Sequence, residues 1–280
     1  MAGSLTAGAL AAGAGGAVLW RTSRPEVPPP LVDGIVWQPD NATVGIAGQW
    51  HALGARELLV QWIVVDGQSF VADAGLPTVP VLPDWSRIAR EPWAREVILG
   101  LAGRFGEREA RADIAGLAAL SRRLAYLPTP LNVTGWYFPV EVDPTWQEAP
   151  RLADLLAPLP RPLWISVYDS ANVGAGTLAT WLSSWLPADI GVFFQDGVGV
   201  HARTPAVARE YADALAEKLG LGRLRVIIEA FRPHTEGGFR AAIAAEIAPQ
   251  LAALSGYPLY LFDGPHYVDD GLVEALRRGA

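Results

Sequence analysis

The amino-acid sequence predicts an α/β fold, a closed (β/α)8 barrel, and three observations carry that expectation. From residue 33 onward, eight short β-rich apolar runs alternate with Ala/Leu-rich stretches. The runs are almost continuously apolar, which is how parallel strands read when both of their faces are buried. Eight such units in about 250 residues match the count of a closed parallel barrel. An open doubly wound sheet commonly uses fewer strands and carries a glycine-rich phosphate loop after the first. Here the first run is followed by Gln38-Pro39-Asp40-Asn41.

Residues 1–30 stand apart as a leader. Ala, Gly, Leu and Val fill almost all of positions 7–20, Arg21 and Arg24 follow, and Pro28–Pro30 form a stiff spacer. No Lys or Arg precedes the apolar stretch, which is short for a membrane span. An atypical export signal, a weak membrane tether and a disordered leader all fit. The expectation is an exported bacterial protein, periplasmic or membrane-anchored, with its barrel domain over 31–280.

The strand runs are 34–38, 57–64, 96–103, 133–142, 163–169, 190–197, 224–231 and 258–264. Helical spacing is clearest over 112–127 and 209–220, the second stopped by Gly220 and Gly222. Residues 65–95 contain Pro77, Pro80, Pro83 and Pro92 and read as a long loop with a short helix.

Composition removes several function classes. The 280 residues include no cysteine, which excludes disulfides, thiolate metal sites and a cysteine nucleophile. A net charge of –7, with Lys218 the only lysine, argues against a nucleic-acid partner. The four histidines (His51, His201, His234 and His266) do not cluster, so neither a metal nor another cofactor is expected. No GxSxG elbow, P-loop or zinc-deaminase signature is present.

In a barrel of this kind the chemistry lies at the C-terminal ends of the strands. The polar residues there are Gln38, Gln61, Arg104, Glu141, Asp143, Tyr168, Asp169, Gln195, Asp196, Glu229, Asp263 and His266. Glu141 and Glu229 close strands four and seven within the apolar segments FPVEV and VIIEAF. A carboxylate in such a place must be paired, hydrogen-bonded or protonated. One reading pairs each with a nearby arginine, Arg104 or Arg232. The other makes them the two carboxyl groups that glycosidic hydrolysis needs. Gln195 and Asp196, followed by Gly197 and Gly199, either hold sugar hydroxyls or cap a turn, and Asp169 has the same two readings. Tyr168 is placed to hydrogen-bond the strand-seven carboxylate. Trp37, Trp62, Trp136 and Tyr137, at or near strand ends, offer flat faces to sugar rings, whereas Trp146, Trp181 and Trp185 read as core.

The pattern of glutamates on strands four and seven resembles the large clan of retaining glycoside hydrolases built on (β/α)8 barrels. The segments GWYFPVEVD (135–143), ISVYDS (165–170) and FFQDGVGV (193–200), with VQW (60–62) and ILGLAG (98–103), resemble the bacterial DUF4434 family of glycoside-hydrolase-like barrels. The resemblance implies a carbohydrate substrate, with Glu141 as acid/base and Glu229 as nucleophile. The chain departs from the wider clan at Val140, where an asparagine usually precedes the acid/base. A barrel that binds polysaccharide during export without cleaving it is the alternative.

Overall fold

Alternation of side chains along each strand sorts the apolar runs into an inner and an outer layer. The computed structural model of the chain describes residues 30–279. The expected leader therefore lies, apart from Pro30, outside the described residues. The barrel strands are β1 (Gly34–Trp37), β2 (Glu57–Val60), β3 (Glu96–Gly100) and β4 (Val133–Val142). They continue as β5 (Leu163–Val167), β6 (Ile190–Gln195), β7 (Leu224–Glu229) and β8 (Leu259–Phe262). All eight are parallel, neighbours in sequence are neighbours in space, and β1 pairs with both β2 and β8 to close the barrel.

Each strand gives one side chain to a single inner layer: Val36, Leu59, Ile98, Tyr137, Trp164, Phe193, Ile227 and Tyr260. The residues beside them in sequence, such as Ile35, Leu58, Phe138 and Val226, face outward into the larger core under the helices. Burying one such aliphatic side chain contributes about 1.5–3 kcal/mol. Two residues before the inner layer, Arg225 pairs with Glu57 at 2.5 Å, lies 4.4 Å from the Trp164 ring centre and donates to the Tyr260 hydroxyl. That group plugs the N-terminal end. Two residues after the layer, the same inward parity gives Gln38, Gln61, Ser166, Gln195, Glu229 and Phe262, so the sequence period itself builds the mouth.

β4 is the exception. Phe138 stands beside Ile165, but the next register pair is Glu141 with Ser166, so β4 carries two extra residues there. Such a bulge re-aims the side chains beyond it.

The outer layer is uneven. Full helices follow β5 (Ala175–Trp185), β6 (Pro205–Leu219) and β7 (Ala244–Ala253), and Ile114–Leu124 follows β3. The Thr204 side chain caps the Pro205–Leu219 helix by accepting from the Val207 N–H at 3.3 Å. The expected helix after β1 is instead a single 3-10 turn, Trp50–Leu53, and the loop after β2 holds only Trp85–Ile88 and a short turn at Pro92–Ala94. Glycines and prolines prevent longer helices in both segments. Trp50 and Trp93, both fully buried, fill the space edge-to-face with ring centres 5.0 Å apart. Beyond β2, Val64–Val65 leaves the barrel for a small sheet with Gln68–Ser69 and Ala102–Gly103, and Phe231–Pro233 forms a hairpin with Phe239–Ala241. Among the described residues no helix is long and apolar enough to cross a membrane.

Candidate active site

The mouth of the barrel holds a cavity of about 180 Å³. Its floor is the inner layer, through Val36, Leu59, Tyr137 and Ile227. Its wall is polar, made by Gln38, Gln61, Glu107, Glu141, Ser166 and Gln195, with Phe105 and Phe262 at its edge. Among the described residues no three His, Asp or Glu side chains group as a metal site.

Glu141 keeps the inward parity of Tyr137 and Pro139, and the β4 bulge sets it level with Ser166. The helix Glu107–Ala112, which follows β3, grips its peptide from both sides. The Glu107 carboxylate accepts from the Glu141 N–H at 3.0 Å, and Arg111 donates to the Glu141 carbonyl at 3.0 and 3.3 Å. The Glu141 carboxylate itself accepts from Gln195 Nε2 at 2.6 Å and, among the described residues, forms no ion pair with an arginine. Burial raises its pKa, opposed by the Gln195 hydrogen bond. Burial, and then the charge of Glu141, push Glu107 up to about 7.

Glu229 has the opposite surroundings. Its side chain is 4% exposed and does not line the cavity. The turn after β6 folds over it, and its Oε2 accepts from the Val200 N–H at 3.1 Å and from the Gly199 N–H. Gly199 is required by close approach: a Cβ there would lie 2.4 Å from Glu229 Cβ and 2.8 Å from Oε2. Beside it, Asp196 is fully buried, accepting from Gln250 Nε2 at 2.6 Å and the Val198 N–H at 3.1 Å. Burial raises the pKa of both carboxyl groups, and for Glu229 the Asp196 charge adds to it.

Neither arginine considered from the sequence pairs with these glutamates. Arg104 pairs with Asp113 at 2.5 Å. Arg232 is spent on the carbonyls of Glu229, Phe231 and Glu246 and on Gln250 Oε1.

Of the other expected site residues, Gln61, Tyr137 and Gln195 line the cavity with Glu141. The tryptophans do not. Trp37 and Trp136 neighbour inward-facing residues and so point outward: Trp37 is fully buried against Trp85, and Trp136 packs on the outer core. Trp62 lies just past β2, buried with Phe70 and Val79, its indole N–H on the Pro39 carbonyl at 2.9 Å. Asp169 ties its own loop to the helices, accepting from the Tyr211 hydroxyl at 2.7 Å and the Val173 N–H at 3.1 Å. Asp196 and Asp263 are likewise buried outside the lining. Asp263 accepts from the Gln38 N–H at 2.7 Å and meets His266, which stands between Asp263 and Asp40 at 3.1 Å from each. Asp263 first, and then Asp40, push His266 up to about 9. Tyr168 is half-buried under the Arg203 guanidinium, 5.4 Å from its ring centre; burial and then the charge of Glu229 raise its pKa.

Glu107, Phe105 and Ser166 are cavity residues that strand-end reasoning missed. Ser166 was available from parity, two residues before Tyr168. Glu107 belongs to the first turn of the helix after β3, and its signal was an acidic residue opening a helix directly behind a strand end.

No protein-family model matches the chain, and no curated protein matches its sequence. Solved structures do match its fold. One is a crystal structure from Bacteroides thetaiotaomicron VPI-5482 described as a "putative alpha-L-fucosidase". It aligns with a TM-score of 0.63 over 92% of this chain and 96% of that one, at 14% identity. At that identity the likeness is one of fold alone, a closed parallel barrel with helices between its strands.

Proposed function

We propose that the protein is a glycoside hydrolase acting on a bacterial polysaccharide or oligosaccharide. The observation that carries this reading is Glu141: a carboxyl group with its pKa raised by burial, with no arginine ion pair among the described residues, facing a cavity walled by amides and a hydroxyl. A general acid must hold its proton when the substrate arrives, and burial supplies that condition. Glu141 protonates the leaving oxygen and later activates water. The same reading makes Glu229 the nucleophile, which requires that it lose the proton that burial favours and that the Gly199–Val200 turn open to the substrate. The named structural neighbour supports the same class, and the DUF4434 assignment rests on the sequence segments quoted for it. The leader over 1–30, as an export signal or tether, belongs to the same proposal.

A second reading, a barrel that binds polysaccharide without cleaving it, is favoured by one observation: Glu229 is sealed beneath the Gly199–Val200 turn and stands outside the cavity. Incubating the protein with a panel of bacterial exopolysaccharides, with mass analysis of released fragments, separates the two. Released fragments that disappear in Glu141→Gln support hydrolysis. Retention of polysaccharide on the protein with no fragment from any member of the panel supports the binding barrel.

A further inference from the structure

We infer that the mouth cavity receives one uncharged sugar ring, the end of a chain, and that Phe105 is the platform for the ring that follows. This deepens the glycosidase reading and takes from it that the ligand is a carbohydrate and that Glu141 is an acid.

Size comes first. At about 180 Å³ the cavity is smaller than the roughly 300–1,000 Å³ of drug-sized pockets and amounts to about six water volumes. It is floored by the inner layer and walled on several sides, so it is shaped as a pit and not as a groove through which a polymer passes.

Charge comes second. Among the described residues, none of those lining the cavity is Arg, Lys or His. Arg111 approaches from behind, donating to the Glu141 carbonyl and standing 3.9 Å from the Glu107 carboxylate. Glu107 and Glu141 share the wall and Arg111 is already engaged by both, so among the described residues a uronate, sulfate or phosphate ester would find no unengaged cation at the cavity. A ring bearing an ammonium group would have to displace the protons that burial favours on Glu107 and Glu141 before it gained an ion pair, and would leave Glu141 with no proton to give. A neutral polyhydroxy ring meets neither objection. The Gln38 and Gln61 amides and the Ser166 hydroxyl belong to the lining and offer a ring hydroxyl neutral hydrogen-bonding partners.

The rim comes third. Phe105 is 72% exposed, yet it lies at the cavity edge and is seated edge-on against buried Trp62, with ring centres 6.4 Å apart. An aromatic ring held in place and left open to solvent covers the C–H face of a sugar at small entropic cost.

The test is a binding panel, read by calorimetry and ligand-observed NMR. It contains methyl glycosides of the common neutral hexoses and 6-deoxyhexoses, the matched glucuronide and galacturonide, and methyl glucosaminide. At least one neutral glycoside should bind at least tenfold more tightly than any uronide, and glucosaminide no more tightly than its neutral parent. Glu107→Gln should narrow the preference for neutral over uronide. Phe105→Ala should weaken a disaccharide carrying the preferred ring roughly 2- to 10-fold more than it weakens the methyl glycoside. A uronide or glucosaminide as the tightest ligand, or no monosaccharide binding at all, overturns the inference. Neutral-ring binding with no glycan cleaved would sink the hydrolase reading and leave this one standing. Internal cleavage of a polymer would do the reverse.

Discussion

Around Glu141 the protein grips the backbone, whereas around Glu229 it grips the carboxylate. Glu107 and Arg111 take the N–H and C=O of Glu141 and leave its carboxyl group facing the cavity with one amide partner. Glu229 is fastened through Oε2 to the Gly199–Val200 turn, and its peptide joins a buried network of Asp196, Gln250 and Arg232. The contrast teaches that two acidic residues ending apolar strands can be held by opposite means. A group with its peptide clamped and its carboxyl group free can exchange a proton with a ligand. One held by two N–H groups under a turn keeps a fixed orientation.

The largest effect expected from breaking this contrast is on turnover. Glu229→Gln should abolish hydrolysis of any glycan the parent cleaves. Glu141→Gln should lower it by about 10²- to 10⁴-fold, and by much less on substrates with good leaving groups, which need little protonation. Steady-state kinetics on a natural and an activated substrate check both, and parent-like hydrolysis by Glu229→Gln would remove it from the mechanism.

Stability should separate the two surroundings next. Gln250 is fully buried and bridges Arg232 to Asp196, so Gln250→Ala leaves buried partners unsatisfied at a cost of about 1–3 kcal/mol each. Arg111→Met on the other side removes hydrogen bonds to one carbonyl, with a long ion pair to Glu107 and a contact over the Trp146 ring, and should cost about 0.5–1.5 kcal/mol. Urea unfolding of the two variants compares them; a larger loss for Arg111→Met would reverse the ranking.

A smaller effect is the response to pH. Burial raises Glu229 from about 4.5 to about 8, so its proton is held more tightly in the folded chain. Its contribution to stability is complete below the unfolded value and is lost as pH rises through the folded one. Glu107, raised to about 7, acts with the same sign. Melting temperature should therefore fall between pH 5 and 8, and Glu229→Gln should flatten that fall more than Glu107→Gln. Equal slopes in the parent and in Glu229→Gln would contradict the raised carboxyl group.

The barrel was readable because its strands are local and periodic. Eight apolar runs, their order and the ends that carry polar residues are all properties of neighbouring residues. Parity along a strand would also have shown that Trp37 and Trp136 face outward, since Val36, Gln38 and Tyr137 face inward. An aromatic at a strand end is not thereby at the mouth. The helix expected after β1 failed for a different reason: apolar spacing alone does not make a helix where Gly45, Gly48 and Gly54 interrupt it.

By itself, then, the sequence determined the closed parallel barrel, the end at which chemistry collects, and the glutamates that close β4 and β7. Only the tertiary structure decided which of those groups meet. Two extra residues in β4 set Glu141 level with Ser166 at the cavity, and a helix from the preceding unit supplies Glu107 and Arg111 to its peptide. The turn after β6 covers Glu229, while Phe105, from the loop after β3, stands at the rim. Hydrophobic period is written in adjacent residues, whereas these contacts join segments tens of residues apart, and their geometry follows from barrel closure and loop packing.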